Sequence, residues 1–239
     1  MHAGLVRVGG VPATKVATLV ADDDPLDLVG PPRRFVSRGG EKLDAAIHRF
    51  ALDVAGTDAL DAGASTGGFT DCLLQAGARR VIAVDVGYGQ LAWTLRRDER
   101  VIVLERTNVR GLQPSDLPYT PAFVVADLSF ISLRTVMPAL AAISAPDADA
   151  LMLVKPQFEA GPDAVGRGGV VRDPEAWMRV LAAVAAAASD TGFSPQGVMA
   201  SPIRGPAGNV EFLMWARRDA VAVPVDLAGA VAEAREVAA

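Results

Sequence analysis

The 239-residue sequence has few of the residues that crosslink small proteins or bind metals through sulfur and nitrogen. It contains one cysteine, Cys72, and two histidines, His2 and His48. A single thiol cannot form an internal disulfide, and these side chains are too few for a structural zinc site. The composition therefore excludes a disulfide framework, and we expect no metal cofactor.

Long apolar runs and an excess of basic charge are missing as well. No stretch reaches about 18 apolar residues, the length that crosses a membrane as a helix. The first residues, Met1 to Arg7, do not follow the charged-then-apolar order of a signal peptide. We therefore expect a cytoplasmic protein without stable membrane association. The net charge of -5 argues mildly against a nucleic-acid partner, because lysine and arginine supply most of the affinity for phosphate backbones.

Short apolar segments alternate with longer segments rich in alanine and leucine. This order is typical of βαβ units, in which helices cover a mostly parallel sheet. We therefore predict an α/β fold with a Rossmann-like sheet of seven strands and helices on both faces. A helix is predicted from Asp173 to Ala188, because Pro174 suits its first turn and Gly192 follows its end. The predicted strands are 59–61, 81–85, 101–104, 122–127, 151–155, 196–200 and 210–215.

The first 32 residues differ in character from the rest of the chain. Residues 1–20 contain a hairpin-like piece from Leu5 to Val11, which is too small to be stable alone. Residues 21–32 combine an acidic cluster with Pro and Gly, which predicts a linker. We assign residues 33–239 to one main domain.

A glycine-rich segment from Asp61 to Thr70 follows the first predicted strand of this domain and precedes a helix. Glycines at such a turn let the backbone bend sharply and approach a ligand. Asp85 ends the next predicted strand, 22 residues after Gly63. That spacing is near the roughly 20 residues at which a carboxylate meets the ribose in dinucleotide-binding folds. The two features predict a ligand that contains adenosine.

The glycine pattern indicates which adenosine ligand to expect. Ser65 occupies the position where a dinucleotide-binding loop has its second glycine, which lets the backbone approach a pyrophosphate. S-adenosylmethionine has no phosphate, and Asp61 with its small-residue turn suits a ligand that carries an ammonium, a carboxylate and a sulfonium. Two alternatives stay open: a dehydrogenase, and a helix N-terminus that merely needs small residues.

Charged side chains close two predicted strands, Asp127 after an apolar run and Lys155 after another. Ligands of open α/β sheets lie outside the carboxyl ends of the strands, so both side chains would face the transferable methyl group. The alternative is an ion pair between Asp127 and Lys155 that only locks the sheet.

Two further charged residues suit an acceptor hydroxyl, which needs a base held close by. A lysine can serve as this base in its neutral form, if desolvation and a neighbouring cation lower its pKa. Lys42 is the natural candidate for the neighbouring cation. Glu211, which we place within the last predicted strand, can orient one of the lysines. Taken alone, either residue would be an ordinary solvated charge.

The order Lys42, Asp127, Lys155 and Glu211 resembles the Lys-Asp-Lys-Glu tetrad of FtsJ-like ribose 2'-O-methyltransferases. Several motifs resemble more narrowly the TlyA, or haemolysin A, group of that family. The resemblance covers about residues 33–217. The motifs are Phe35 to Leu43, Leu60 to Asp71, Asp127 to Ser132, Val154 to Glu159 and Gly168 to Arg172.

Members of this group are bacterial ribosomal RNA cytidine 2'-O-methyltransferases of the class I, S-adenosylmethionine-dependent fold. The resemblance implies that Lys155 activates the hydroxyl, while Asp127, Lys42 and Glu211 set its charge state and geometry. It implies ribosomal RNA or ribosomal subunits as partners. The candidate cofactor-binding residues are Asp61, Gly63, Ala64, Ser65, Thr66, Gly67, Gly68, Phe69, Asp85, Val86, Asn108 and Asp127.

The beginning of the chain also carries a resemblance. Residues 3–15 resemble the final part of an S4 RNA-binding domain, so we expect residues 1–20 to be a partial, S4-like remnant.

The loop from Pro156 to Arg172 is rich in Gly, and we hypothesise that it closes over the acceptor nucleotide. A modest basic patch is predicted in residues 31–49, from Arg33, Arg34, Arg38, Lys42 and Arg49.

Other activities remain as alternatives at this point. They are methylation of another acceptor, an NAD-dependent reaction, a cofactor-binding protein without catalysis, and the membrane lysis that the older family name suggests. The sequence has no strongly basic amphipathic helix that would favour lysis. Arg79, Arg80, Arg96 and Arg97 are interpreted as solvated charges, and a phosphate contact at Arg96 and Arg97 stays open as an alternative.

Overall fold

The computed structural model describes residues 6–15, 17–30, 33–221 and 223–238. It divides into two units, Met1–Arg34 and Phe35–Ala239. This division falls close to the boundary at residue 33 that the change in composition suggested.

The smaller unit contains a three-stranded antiparallel sheet. Strand β1 (Val6–Val8) pairs with β2 (Val11–Pro12) through a turn at Gly9 and Gly10, whose φ angles are 56° and 80°. Strand β3 (Leu26–Leu28) pairs with the other edge of β1. Strand β3 lies within the predicted linker over 21–32, and three residues are too few for the sequence to show a strand pattern. The predicted S4-like piece includes residues 1–5 and 16, which lie outside the described residues, as do residues 31 and 32 of the predicted linker.

The larger unit alternates strands and helices. Its strands are β4 (Asp58–Ala62), β5 (Arg80–Val84), β6 (Val101–Leu104), β7 (Phe123–Ala126), β8 (Asp149–Val154), β9 (Phe193–Ala200) and β10 (Phe212–Arg218). Its helices are α1 (Arg38–Arg49), α2 (Gly68–Gln75), α3 (Trp93–Arg96), α4 (Leu133–Ile143), α5 (Pro156–Glu159), α6 (Pro174–Asp190) and α7 (Leu227–Ala238). Short 3-10 turns lie at Val109–Gly111, Pro114–Asp116 and Pro162–Ala164.

The seven strands of this unit form one sheet in the order β6-β5-β4-β7-β8-β10-β9. Strands β4 to β8 pair in parallel, whereas β10 is antiparallel to both β8 and β9. The central β4 lies between β5 and β7, so the chain leaves it in opposite directions along the sheet. This is the kind of switch point at which open α/β sheets bind ligands.

Alternate residues of each strand face opposite layers of helices, as the two-residue period of a strand requires. Leu60 and Val124 pack in the cluster that includes α4, α6 and α7. Ala59 and Phe123 pack in the cluster that includes α1, α2 and α3. The predicted mostly parallel, seven-stranded sheet with helices on both faces is confirmed.

Element ends differ from the predictions by a few residues. Strands β5, β7 and β8 end one residue early, so Asp85, Asp127 and Lys155 are the first residues beyond them. Glu211 directly precedes β10, which corrects its predicted position within that strand. Helix α6 begins as predicted, because the Asp173 carboxylate accepts the backbone N–H groups of its first turn. None of the helices in the described ranges is long and apolar enough to cross a membrane.

Candidate active site

The loop between β4 and α2 is shaped by glycines at two positions. Gly63 has a φ of 90°, and a Cβ there would overlap the backbone carbonyl of Asp127. Gly67 has a φ of 96°, and its Cβ would overlap the side chains of Leu91 and Leu95. Left-handed backbone and close approach together require glycine. The loop is thereby held against the carboxyl end of β7.

Ser65 adopts the left-handed conformation although it is not glycine, with a φ of 48°. Such a conformation is uncommon and costs free energy for residues with a side chain. The Ser65 N–H donates to Asp85 Oδ2 at 2.7 Å, and the Gly87 N–H donates to Asp85 Oδ1 at 2.6 Å. Asp85 therefore organises the loop, and the spare lone pairs of its carboxylate face a cavity.

Asp61 supports the loop from behind. Its side chain is fully buried, Oδ2 accepts a hydrogen bond from the Thr70 hydroxyl at 2.7 Å, and Oδ1 has no hydrogen-bond partner among the described residues. Burial raises the pKa of Asp61 to about 7; the Thr70 hydrogen bond opposes this rise, and the charge of Asp127 adds to it. Asp61 is not in the wall of either cavity, and its predicted contact with a cofactor stays a prediction.

Two adjoining cavities lie at this edge of the sheet and share Gly63, Ser65, Asp127 and Ser129. The apolar cavity, of about 450 Å³, also has Asp85, Val86 and Asn108 in its wall. The polar cavity has a volume of about 320 Å³. Its wall includes Lys42, Ala64, Thr66, Gly68, Phe69, Lys155 and Glu211. The only candidate residues outside both walls are Asp61 and Gly67.

Four charged residues of the polar cavity form two ion pairs. Lys42 Nζ lies 2.5 Å from Glu211 Oε2, and both side chains are nearly inaccessible, at 8% and 2% exposure. Lys155 Nζ lies 2.6 Å from Asp127 Oδ1, with 11% and 25% exposure. The structure thus brings all four predicted catalytic residues together, and the ion pair foreseen as an alternative is present inside the cavity.

The pair of Lys155 and Asp127 differs from a simple structural lock. Lys155 Nζ donates a hydrogen bond to Ser129 Oγ at 2.9 Å and also makes the ion pair with Asp127 Oδ1. Asp127, Ser129 and Lys155 all line the polar cavity, so the pair lies at a ligand-sized volume and is not enclosed within the sheet.

Close helix packing delivers Lys42 to this cavity. A Cβ on Gly68 of α2 would overlap Ser37 Oγ and lie only 3.0 Å from the backbone N of Gly40 in α1. The small residues let the first turns of the two helices approach each other. Lys42, one turn into α1, is therefore beside the loop between β4 and α2.

Phe130 is a site residue that the sequence reasoning missed. It lies in the wall of the apolar cavity, has a φ of 62°, and leaves 92% of its surface exposed. Its ring centroid is 5.3 Å from that of Phe158, whose ring in turn lies 5.9 Å from Lys155 Nζ. The motif from Asp127 to Ser132 contained this residue, but an aromatic in a short apolar run gave no sign that it would point outward.

Several predicted solvated charges are paired. Lys42 binds Glu211, and Arg49 binds Glu233 at 2.7 Å. The positive charges of Lys42 and Arg49 are therefore neutralised and do not add to the predicted basic patch. Arg79 and Arg80 both bind Asp58, and Arg96 binds Glu105. Within the described part of the chain, no three His, Cys, Asp or Glu side chains come together as a metal site.

The fold is that of S-adenosylmethionine-dependent methyltransferases. A solved structure of such an enzyme from Mesorhizobium loti matches with a TM-score of 0.53 at 15% identity, covering 73% of this chain and 96% of that one. The model of the FtsJ-like methyltransferase family matches residues 35–218. The chain belongs to this family, and within it to the TlyA (haemolysin A) group, which confirms the resemblance read from the motifs.

Two relatives illustrate the match within the group. The 16S/23S rRNA (cytidine-2'-O)-methyltransferase TlyA of Mycobacterium tuberculosis is 56% identical over 216 residues, which cover 90% of this chain and 81% of that protein. The solved structure of a Streptococcus thermophilus protein described as a hemolysin has a TM-score of 0.86 and 43% identity. That match covers 99% of this chain and 88% of the other.

Proposed function

We propose that the protein transfers the methyl group of S-adenosylmethionine to the 2'-hydroxyl of a cytidine ribose in ribosomal RNA. The observation that carries this proposal is the placement of Lys155 and Asp127 in a cavity that adjoins the cofactor loop. The activity named for the Mycobacterium tuberculosis relative supports the choice of acceptor. The reaction then belongs in the cytoplasm, where ribosomal subunits are.

The apolar cavity fits the adenosine part of the cofactor. Asp85 offers a carboxylate for the ribose hydroxyls, Asn108 offers an amide, and apolar side chains such as Val109 and Ile131 suit the base. The Gly63–Phe69 loop leads from there to the polar cavity, where the amino-acid end would lie. S-adenosylmethionine supplies an electrophilic methyl group bound to a sulfonium. The sulfur leaves as a neutral thioether, so its departure needs no acid.

The chain's own residues then have to align and deprotonate the acceptor hydroxyl. Lys155 takes up the hydroxyl proton in its neutral amine form. The ammonium that results pairs with the Asp127 carboxylate, whose Oδ1 lies 2.6 Å from Lys155 Nζ, and it loses the proton to solvent before the next turnover. Ser129 holds the Lys155 amine by a hydrogen bond. The second pair, Lys42 with Glu211, adds no net charge, so the cavity wall can accept a neutral ribose beside it.

Surface features near the cavities suit an RNA acceptor. The exposed Phe130 ring offers a face on which an unstacked nucleobase can lie. Arg106 lies over the ring of Tyr88, with 4.3 Å between the guanidinium and the ring centroid, and Tyr88 is 67% exposed. Arg38 lines the polar cavity.

We further propose that residues 33–239 act as the methyltransferase domain, and that the S4-like residues 1–20 assist RNA binding.

Calorimetry and a labelling assay test this function together. We expect S-adenosylmethionine to bind, NAD not to compete, and Asp85→Ala to weaken cofactor binding about tenfold or more, since the variant loses both the ribose acceptor and the partner of the Ser65 N–H. Incubation with labelled cofactor and separated ribosomal subunits from an unmodified strain should label one nucleotide. Preferential binding of NAD, or no label in either subunit, would contradict the proposal.

A further inference from the structure

Two loops of the active site are joined at three successive levels. The β7 loop, defined as residues 127–132, follows strand β7, and the lysine loop, residues 155–159, follows β8. Lys155 contacts Asp127 and Ser129 at the first level. Phe158 contacts Phe130 at the second. The third level is formed by a buried carboxylate, Glu159, which the proposed reaction does not use.

Glu159 closes the two loops at their far end. Its Oε2 accepts a hydrogen bond from the Ser132 hydroxyl at 2.6 Å, and its Oε1 accepts the Leu133 N–H at 2.6 Å. Arg134 adds contacts from its guanidinium to Oε2 at 3.2 Å and to the Glu159 carbonyl at 3.1 Å. The Glu159 side chain is only 2% exposed. A carboxylate this buried is costly unless partners like these compensate it.

Capping of helix α4 alone does not account for this arrangement. Ser132 already caps the helix, because its Oγ accepts the Arg134 N–H at 3.2 Å. The additional carboxylate comes from another loop, and it lies one helical turn after Lys155. Helix α5 therefore links Glu159 directly to the reacting lysine, and the Phe158 N–H donates to the Lys155 carbonyl at 2.9 Å within that turn.

The conformation of Phe130 needs such a fixed frame. A left-handed φ of 62° costs a residue with a side chain free energy that its surroundings must offset. Phe130 is almost fully exposed, so its own burial contributes little to holding that conformation. Ser129 is held by Lys155 on one side, and Ser132 by Glu159 on the other. Only two residues lie between these two anchors.

We propose that Glu159 is a positioning residue for the acceptor side of the active site: it fixes the β7 loop against the lysine loop, and so holds Lys155 and the Phe130 ring in their working positions. This inference rests on the proposed function for the part that concerns the acceptor. The wall of the apolar cavity combines β7-loop residues, such as Phe130 and Ile131, with Asp85 and the loop between β4 and α2. Glu159 makes none of the contacts described above to Asp85 or to the loop between β4 and α2.

Glu159→Ala and Glu159→Gln, with Glu175→Gln as the matched control, test the proposal. Glu175 lies on α6 with its side chain 87% exposed. Against wild type, we expect Glu159→Ala to lower kcat/KM for ribosomal subunits about 100-fold, because small misplacements of reacting groups are that costly. Glu159→Gln, which keeps the shape and one acceptor, should restore most of the loss. The Kd for S-adenosylmethionine should rise by a much smaller factor than kcat/KM falls, because Asp85 and the loop between β4 and α2 keep their contacts.

Hydrogen exchange gives a readout that needs no RNA. Glu159→Ala should speed exchange of the amides in residues 128–134 at least tenfold, while α6 exchanges as in wild type. Unchanged exchange in that segment would overturn the proposal, and so would faster exchange with wild-type methyl transfer. Loss of cofactor affinity in step with activity would also overturn it, since that result indicates general damage. A wild-type protein that labels no ribosomal RNA would refute the reaction, while exchange still decides the role of Glu159 in fixing the loop.

Discussion

The two ends of the central strands carry charged clusters of opposite character. At the amino ends, Asp58 of β4 binds two arginines at once, with Arg79 Nε at 2.8 Å and Arg80 Nε at 2.9 Å from Oδ1. The Arg80 guanidinium lies 3.9 Å from the Tyr119 ring centroid. At the carboxyl ends, two lysines each bind one carboxylate in the wall of a cavity.

The difference is one of access rather than of residue type. Arg79 and Arg80 are 62% and 39% exposed, and hydrogen bonds from Arg80 and then Arg79 hold the pKa of Asp58 well below its usual range. Their carboxylate is fully engaged and lines neither active-site cavity. Lys42 and Lys155 are nearly buried yet border an open volume that adjoins the cofactor loop. A charged cluster at a strand end therefore indicates a reaction site only where it borders a cavity and a ligand-binding loop, such as the loop between β4 and α2.

Removal of the lysine amine should have the largest effect and separates the two ends most sharply. We expect Lys155→Ala to lower methyl transfer about 1,000-fold or more, because a positioned base contributes on that order. Cofactor affinity should change little, since Asp85 and the loop between β4 and α2 are untouched. Single-turnover transfer and calorimetry measure the two quantities. Retained transfer would mean that the proton acceptor lies elsewhere.

The second pair allows stability and activity to be separated within the cavity. Glu211→Ala leaves the Lys42 ammonium buried without its partner, so we expect unfolding to become easier by about 3–5 kcal/mol. The double variant Lys42→Met, Glu211→Ala should regain most of that stability but not the methyl transfer. Urea unfolding and labelling assays measure both. Full activity in the stable double variant would show that this pair is only structural.

The free energy of unfolding should depend on pH through the buried carboxyl group of Asp61. Its native pKa of about 7 lies above its ordinary value of 3.8, so the folded chain holds a proton that the unfolded chain releases between these values. Wild-type stability should therefore fall as pH rises through this window, by at most about 1.4 kcal/mol per pH unit. In Asp61→Asn this contribution is absent, so the two stability curves should converge or cross towards pH 7. Parallel curves would contradict the assignment, and Glu175→Gln serves as the exposed control.

The amino-end cluster should give the smallest effect, confined to stability. Asp58→Asn weakens two partly exposed ion pairs, and we expect a loss of about 1–2 kcal/mol at neutral pH. Because the pKa of Asp58 is lowered in the folded state, this contribution is present above its ordinary pKa and disappears as pH falls below it. Chemical unfolding at two pH values measures it. A large loss of methyl transfer in this variant would break the contrast between the two ends.

Features fixed by local pattern were predictable from the sequence. The glycine loop, the strand ends at Asp85, Asp127 and Lys155, and the capped start of α6 follow from periodicity and turn chemistry within short windows. The grouping of the tetrad came from the resemblance to a family rather than from spacing. Lys42 and Glu211 are 169 positions apart, and no local pattern shows that they meet.

Other features depended on tertiary context. Strand β3 has three residues and gains its identity only by pairing with β1. Asp61 opens the cofactor loop in sequence, yet strand alternation turns its side chain into the core beside Thr70. The outward Phe130 requires a left-handed backbone that an isolated aromatic residue rarely adopts. The predicted closure of residues 156–172 over a nucleotide stays a prediction.

Alkaline hydrolysis of labelled ribosomal RNA tests the central claim most directly. A methyl group on the ribose 2'-oxygen blocks the internal attack that cleaves the adjacent phosphodiester, whereas a methyl group on the base does not. After incubation with labelled cofactor and unmodified subunits, we predict that the label remains in an alkali-resistant dinucleotide beginning with cytidine, and that Lys155→Ala yields almost none. Label released in single nucleotides would contradict ribose methylation.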